Sequence, residues 1–300
     1  MTWNGKLKGI RIRKEDIQFL KSLGTVGTLN TNEAATHYPN HKLNSVQNRL
    51  RLLASNRLVR ATKLLVAFDR PDVVDRGGRI PTLFSLTPTG ADLVESLTGF
   101  RPPRCLNSEP AAVTLLHRQD ISRVVCAFTA SCDDAGLPSP NWIMEQDVWT
   151  DGPKKLPPNQ RKLLYHRIET PAGAVTCHPD IACRLKLPSS EVALFFEVDR
   201  STEGHKQLAE ATRMDAYSLL FKTKGYDRYW PGFSAPFEFV MWVCLSQQRI
   251  DNLCKTFAGH PLSERMRFSL TSHFVKRSDI LQEPIWQTIQ GDRRRIYNTN

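Results

Sequence analysis

The sequence predicts an α+β chain of two units: a small helical unit carrying a two-stranded ribbon, then a larger α/β unit on a central mixed sheet. Three observations predict it. The chain has 300 residues, 40% hydrophobic and 24% charged, which is ordinary globular composition and enough for two separate cores. A Pro-rich stretch over residues 100–110 breaks the helical pattern before it. The charge is also lopsided. Residues 1–65 hold twelve Lys and Arg against three Asp and Glu, which is +9 of the net +11. The expected boundaries are 1–99 for the first unit, 100–111 for a linker and 112–300 for the second unit.

In the first unit, Ile17, Leu20 and Leu23 recur at helical spacing, with Glu15 and Asp16 at the positive end of the helix and Gly24 as its stop. Thr31 is the expected N-cap of a second helix, with Glu33 in its first turn, running to about Tyr38 before Pro39. A third helix starts at Asn44 or Ser45 and ends near Ser55. Val46, Leu50 and Leu53 form its buried stripe; Ser45, Gln47, Asn48, Arg49 and Arg51 are assigned outward, and Asn56 is the expected left-handed cap. Residues 59–67 and 82–87 read as strands around a polar loop with Gly77 and Gly78 at its tip. Thr87 or Thr89 caps a closing helix through Leu97.

Three helices, a two-stranded wing and a closing helix follow the winged helix-turn-helix order, whose third helix enters the major groove of duplex DNA. The expected DNA-facing set is Lys42, Ser45, Gln47, Asn48, Arg49, Arg51 and Arg57, with Arg76 and Arg79 from the wing loop. No acid occurs from residue 34 to 68, so this face attracts polyanions. The alternative for the same pattern is a helical unit with a solvated charged face.

In the second unit, residues 111–135 read as a long helix, with Val113, Leu116, Ile121, Val124, Val125 and Phe128 on one side. Residues 174–185 are extended and interrupted at Pro179; 191–199 and 237–245 are buried strands; 202–222 and 247–257 are helices; 266–275 is a further strand. That alternation predicts the central mixed sheet. Trp230, Trp242 and Trp286 fall at or near strands and are assigned to the core. Asp180 follows Pro179, and Glu197 and Asp199 share one face at the end of an apolar strand. Glu145 is a further acid from outside the sheet. Converging carboxylates suit a hard cation such as Mg²⁺, which relieves their mutual repulsion. The alternative is a strand that simply ends in surface charges beside Arg200.

Other chemistry is excluded more directly. No run approaches the roughly 18 apolar residues of a membrane span. The start has cations but no apolar segment behind them, so no signal peptide is expected. Seven scattered cysteines without a Cys-x-x-Cys pair suit reduced thiols in a cytoplasmic setting. Cys177, His178 and Cys183 are too few and too irregular for a zinc site. His117 has no nucleophile placed beside it, and there is neither a phosphate-binding P-loop nor the histidine cluster of a relaxase.

Beyond these readings, Pro179-Asp180 followed by Glu197-Val198-Asp199 resembles the motif of the PD-(D/E)XK nuclease fold. More narrowly, the chain resembles the replication-relaxation family of plasmid and integrative-element proteins. The resemblance is carried by Arg49-Leu-Arg-Leu-Leu53 with Leu58-Val59, by Leu86-Thr87-Pro-Thr-Gly90, and by Leu116-His117, Trp142 and Glu145. It continues through Pro179-Asp180, Phe195-Phe-Glu-Val-Asp-Arg200 with Thr202-Glu203, and Arg213 before Tyr217. The resemblance implies that Asp180 and Glu197 hold a metal, Mg²⁺ if the site is active, with Glu145 as accessory acid. The motif's lysine position is Asp199 here, and Lys206, Arg213 or Tyr217 from the next helix would lie over the site. Asp180, Glu197, Glu145, Asp199 and Arg213 are therefore the candidate catalytic set. The implied function is a DNA-binding accessory protein of plasmid or mobile-element replication or mobilisation. Its implied partners are double-stranded DNA, a second copy in a homodimer, and replication or mobilisation proteins. A Mg²⁺-dependent endonuclease and a winged-helix transcriptional regulator are the competing expectations.

Overall fold

Helix α1 (Lys14–Val26) runs past Gly24, its expected stop, because that glycine serves close approach rather than termination. A Cβ there would lie 2.3 Å from the Pro102 Cβ. The helix ends instead at Gly27, whose φ of 101° no side chain adopts easily. This computed structural model describes residues 7–64, 82–108, 110–149, 157–200, 213–233, 237–275 and 279–297.

Strand β1 (Thr28–Asn30) leads directly into α2 (Thr31–Ala35). The cap is Asn30, not Thr31: its side chain accepts from Glu33 N at 2.9 Å, and the Glu33 carboxylate accepts from Asn30 N at 2.7 Å. Helix α3 (Leu43–Ser55) buries Val46, Leu50 and Leu53 as expected. The left-handed residue after it is Arg57, at φ 58°, while Asn56 stays at −87°. Strands β2 (Val59–Thr62) and β3 (Leu83–Leu86) pair antiparallel. β1 joins the other side of β3, giving three strands in the order β1-β3-β2 where two were expected. Thr87 caps α4 (Pro88–Thr98) by accepting from Gly90 N at 3.1 Å. The expected wing loop, with Arg76 and Arg79, lies outside the described residues.

Residues 100–111 are not a free linker. Arg104 N donates to Gly24 O at 3.0 Å, and Leu106 N donates to Leu86 O at 2.8 Å, which ties the segment to α1 and β3. Leu106 also packs with Leu83, Leu115 and Leu116. Ser122 Oγ donates to Val26 O at 2.7 Å and accepts from Thr28 N at 3.2 Å. The first unit consequently extends to Ser122, and the boundary falls inside helix α5 (Ala112–Asp134) rather than in the Pro-rich stretch.

The second unit is a seven-stranded mixed sheet. In chain order its strands are β4 (Asn141–Met144), β7 (Ile181–Lys186), β8 (Glu191–Asp199), β9 (Phe237–Cys244), β10 (Met266–Leu270), β11 (Trp286–Gln287) and β12 (Arg293–Arg294). Their spatial order is β12-β11-β10-β9-β8-β7-β4, with β8–β9 and β9–β10 parallel and the other pairs antiparallel. A separate hairpin joins β5 (His166–Thr170) and β6 (Gly173–Cys177). Helices α6 (Arg213–Lys222) and α7 (Gln247–Phe257) each intervene between two parallel strands, as such connections require. Tyr217, Leu220, Leu253 and Phe257 cover one face of the sheet over Phe195, Val240 and Trp242. On the other face Phe128 meets Phe196 edge-on at 5.2 Å. Trp230, Trp242 and Trp286 are buried.

The expected strand over 266–275 ends at Leu270, and α8 (Thr271–Val275) follows. Thr271 Oγ donates to Cys244 O at 3.1 Å and pins the turn. No helix among the described residues is long and apolar enough to cross a membrane.

Candidate functional site

Two groups of side chains deserve description, one in each unit. In the first, α3 presents Lys42, Asn44, Ser45, Asn48, Arg51, Leu52 and Ser55 to solvent, with Gln47 half-buried and Arg57 exposed just beyond. Arg51 Nη1 donates to Asn48 Oδ1 at 2.8 Å, which aligns a guanidinium and an amide along one turn. The exposed groups are donors and amides, the chemistry of phosphate and base-edge contact.

Arg49 corrects the expected set. It is buried and faces α1, where Nε donates to Asp16 Oδ1 at 2.8 Å and Nη2 donates to Asp16 Oδ2 and Arg11 O. Asp16 also accepts from Tyr38 OH at 3.0 Å and from Arg13 N at 2.7 Å. Burial, with the neighbouring Asp16 charge, pushes the Tyr38 phenol well above its ordinary range. The hydrogen bond that Arg49 donates to Asp16 raises the Arg49 pKa. Arg49 is thus a strut between α1 and α3, turned away from the surface that its neighbour Arg51 shares.

In the second unit the acids gather at one end of the sheet. Met144 pairs with Ile181, and Ile181 pairs with Phe196. Glu145, Asp180 and Glu197 each lie one residue beyond these partners: Glu145 just after β4, Asp180 just before β7 and Glu197 on β8. One carboxylate oxygen of Glu145 lies within 4.8 Å of one from Asp180. The turn after β4 is fixed by Asp147, whose carboxylate accepts from Met144 N at 2.9 Å. Asp180 is clamped on both sides of Glu197: its N–H donates to Phe196 O at 3.0 Å, and its Oδ2 accepts from Val198 N at 2.7 Å.

Glu197 is buried and engaged by α6. Tyr217 OH donates to its Oε1 at 2.7 Å, and Arg213 Nη1 stands 3.6 Å from its Oε2. Burial and then the Glu197 charge hold the Tyr217 phenol and the Cys177 thiol well above their ordinary ranges. His178 feels the same cluster. Burial and Lys162 lower its pKa, while Asp180 and Glu145 oppose the shift, and its Nε2 is buried without a hydrogen-bond partner.

Asp199 takes a different partner. Arg249, in the first turn of α7, donates Nε to its Oδ2 at 2.6 Å with both side chains buried. The structure therefore brings Glu145 to Asp180 and Arg213 to Glu197, and engages Asp199 from another helix. Lys206 lies outside the described residues. Sequence reasoning missed Arg249 and Lys162, and weighed His178 only as a zinc ligand. For Arg249 a signal existed: it falls on the apolar stripe with Ile250, Leu253 and Phe257, where a charge needs a buried partner.

Glu145 and Asp180 supply hard oxygen donors close enough to share one divalent cation, so the residues fit the Mg²⁺ that the motif implies.

No curated protein matches the chain. Among solved structures, the restriction endonuclease FokI is similar at a TM-score of 0.26 and 9% identity, over 92% of this chain. The match spans 46% of the FokI chain, less than half its length, and a likeness this slight carries no argument. A family model described as replication-relaxation matches residues 20–233, more than two thirds of the sequence. On that match, this chain belongs to the replication-relaxation family.

Proposed function

We propose that this protein is a duplex-DNA-binding accessory factor in the replication or mobilisation of a plasmid or other mobile element. In this reading the first unit is a winged helix, and α3 lies in the major groove. The observation that carries the proposal is the exposed face of α3, where Lys42, Ser45, Asn48 and Arg51 stand together with no acid from residue 34 to 68. Family membership supplies the replication context. Winged helices dock on paired half-sites, so the functional form is a homodimer in the cytoplasm, working with replication or mobilisation proteins. Mobility-shift assays on fragments of the encoding element test this. A discrete complex with one fragment, weakened by Lys42→Ala with Arg51→Ala and retained by a properly folded Asp180→Ala, is the expected result. No shift with any fragment at low salt would refute it.

A second reading, metal-dependent DNA cleavage in a nuclease-like second unit, is favoured by the proximity of Glu145 and Asp180. A cation held there would supply Lewis-acid polarisation of a phosphate. Asp180 holds its position through Val198 N, Arg213 offsets the Glu197 charge, and Tyr217 fixes the Glu197 carboxylate. Arg213 stays protonated and can stabilise charge on phosphate, but it cannot accept a proton from water. Incubation of supercoiled plasmid with Mg²⁺ or Mn²⁺ separates the readings. Nicking lost in both Glu145→Gln and Asp180→Asn establishes cleavage, and intact plasmid under all conditions rejects it.

A further inference from the structure

The face of the sheet opposite α6 and α7 carries a cavity. Its volume is about 80 Å³. Val192 and Leu194 of β8 and Met241 of β9 form its floor, and Ile296 closes one wall. Glu197 lies five residues from Val192 along β8, about 16 Å at the rise of an extended strand. Odd-numbered residues of β8, including Glu197, pack toward the opposite face, so the two sites are separate.

Two guanidinium groups line this otherwise apolar cavity. Arg267 is stacked over the Phe239 ring at 4.9 Å. Its Nη1 donates to the Glu264 and Met266 carbonyls at 2.9 and 2.7 Å, which holds the group in place. No carboxylate pairs with it among the described residues; that of Glu264 instead accepts from Gln290 at 2.8 Å. Arg295 is exposed and makes no ion pair among the described residues. Burial pushes the Arg267 pKa down and the Arg294 charge adds to it, although the Glu264 charge opposes the shift. An apolar floor with a few fixed polar groups at one side is the usual form of a small-molecule site.

We propose that this cavity binds a small amphipathic anion, with its hydrophobic body on Val192, Leu194 and Met241 and its carboxylate or phosphate between Arg267 and Arg295. The apolar floor selects against inorganic phosphate or sulfate, which leave it empty. The guanidiniums select against a neutral body, which offers neither arginine an ion pair. The enclosed shape favours a compact molecule over a continuous nucleic-acid strand.

Equilibrium dialysis of the full chain against decanoate and 1-naphthoate tests the proposal. Saturable binding of one molecule per chain is expected, and it should be about tenfold weaker for the matching neutral alcohol. Arg295→Glu, at an exposed residue, should weaken the anion by a similar factor while leaving the melting temperature unchanged. Ile296→Asp should weaken it independently of Arg295. Absence of saturable binding by either anion overturns the proposal, as does affinity indifferent to ligand charge and to both substitutions. Preferential binding of a short single-stranded oligonucleotide, displacing both probes, also overturns it in favour of a nucleic-acid contact. None of these outcomes depends on duplex binding by α3 or on cleavage at Glu145 and Asp180.

Discussion

Arg49–Asp16 in the first unit and Arg249–Asp199 in the second are the same chemical pair brought to different degrees of closure. Both arginines sit on the apolar stripe of a helix and reach a buried aspartate. At Asp16 the pair is closed: both carboxylate oxygens accept bonds, and Tyr38 and Arg11 take up the remaining contacts. At Asp199 it is less closed, because Arg249 Nη2 is buried with no acceptor among the described residues. A closed pair returns most of its desolvation cost as hydrogen bonds, whereas an open one leaves a donor's cost standing. The first is therefore a structural joint, and the second joins α7 to β8 with one donor unmatched among the described residues.

The largest effect should come from breaking the closed pair. Asp16→Ala leaves Arg49 buried and unpaired, so it should cost about 3–5 kcal/mol, read from urea unfolding of the full chain. A cost below about 1 kcal/mol would mean that the network contributes little. Arg249→Ala should cost less, about 3 kcal/mol, because the pair already carries one unsatisfied donor. If the two losses come out reversed, the contrast between closed and open pairs fails.

A smaller, pH-dependent effect is expected from His166. Burial, with the Arg228 and His178 charges, pushes its pKa down to about 2. The unfolded chain takes up a proton near pH 6.5 and the folded chain does not, so this contribution is full above about 6.5 and is lost as pH falls. Between pH 6.5 and 5 the loss should approach about 2 kcal/mol relative to His166→Gln. Parallel stability curves for the two proteins would remove His166 from the acid sensitivity. Smallest of all, Lys42→Ala with Arg51→Ala should change stability by less than about 0.5 kcal/mol per site, since both side chains are exposed.

The pairs also explain what the sequence conveyed. Val46, Leu50 and Leu53 announced the buried face of α3, and the long apolar run before Glu197 announced a central strand. Arg49 was misassigned because its charge was allowed to outrank its position, although residue 49 lies on the stripe through 46, 50 and 53. Arg249 poses the same problem on α7. In both helices the informative signal is a charge at an apolar position, and its partner is distant in sequence: 33 residues from Arg49 and 50 from Arg249. Strand β4 is hard to read because its four residues, one exposed, two half-buried and one buried, give no clear period, yet it is the strand that delivers Glu145 to Asp180. The start of α8 was read as strand because Thr271 and Val275 are β-branched; the Thr271–Cys244 bond that turns the chain is not local.

Whether the exposed face of α3 binds duplex DNA is decided most directly by the salt dependence of affinity. Fluorescence anisotropy with a labelled duplex should give a steep linear fall of log affinity with log salt. The slope should be shallower by about one for each of Lys42→Ala and Arg51→Ala, as expected for lost phosphate contacts. A slope unchanged in both variants, at unchanged stability, would contradict the assignment of DNA binding to this helix.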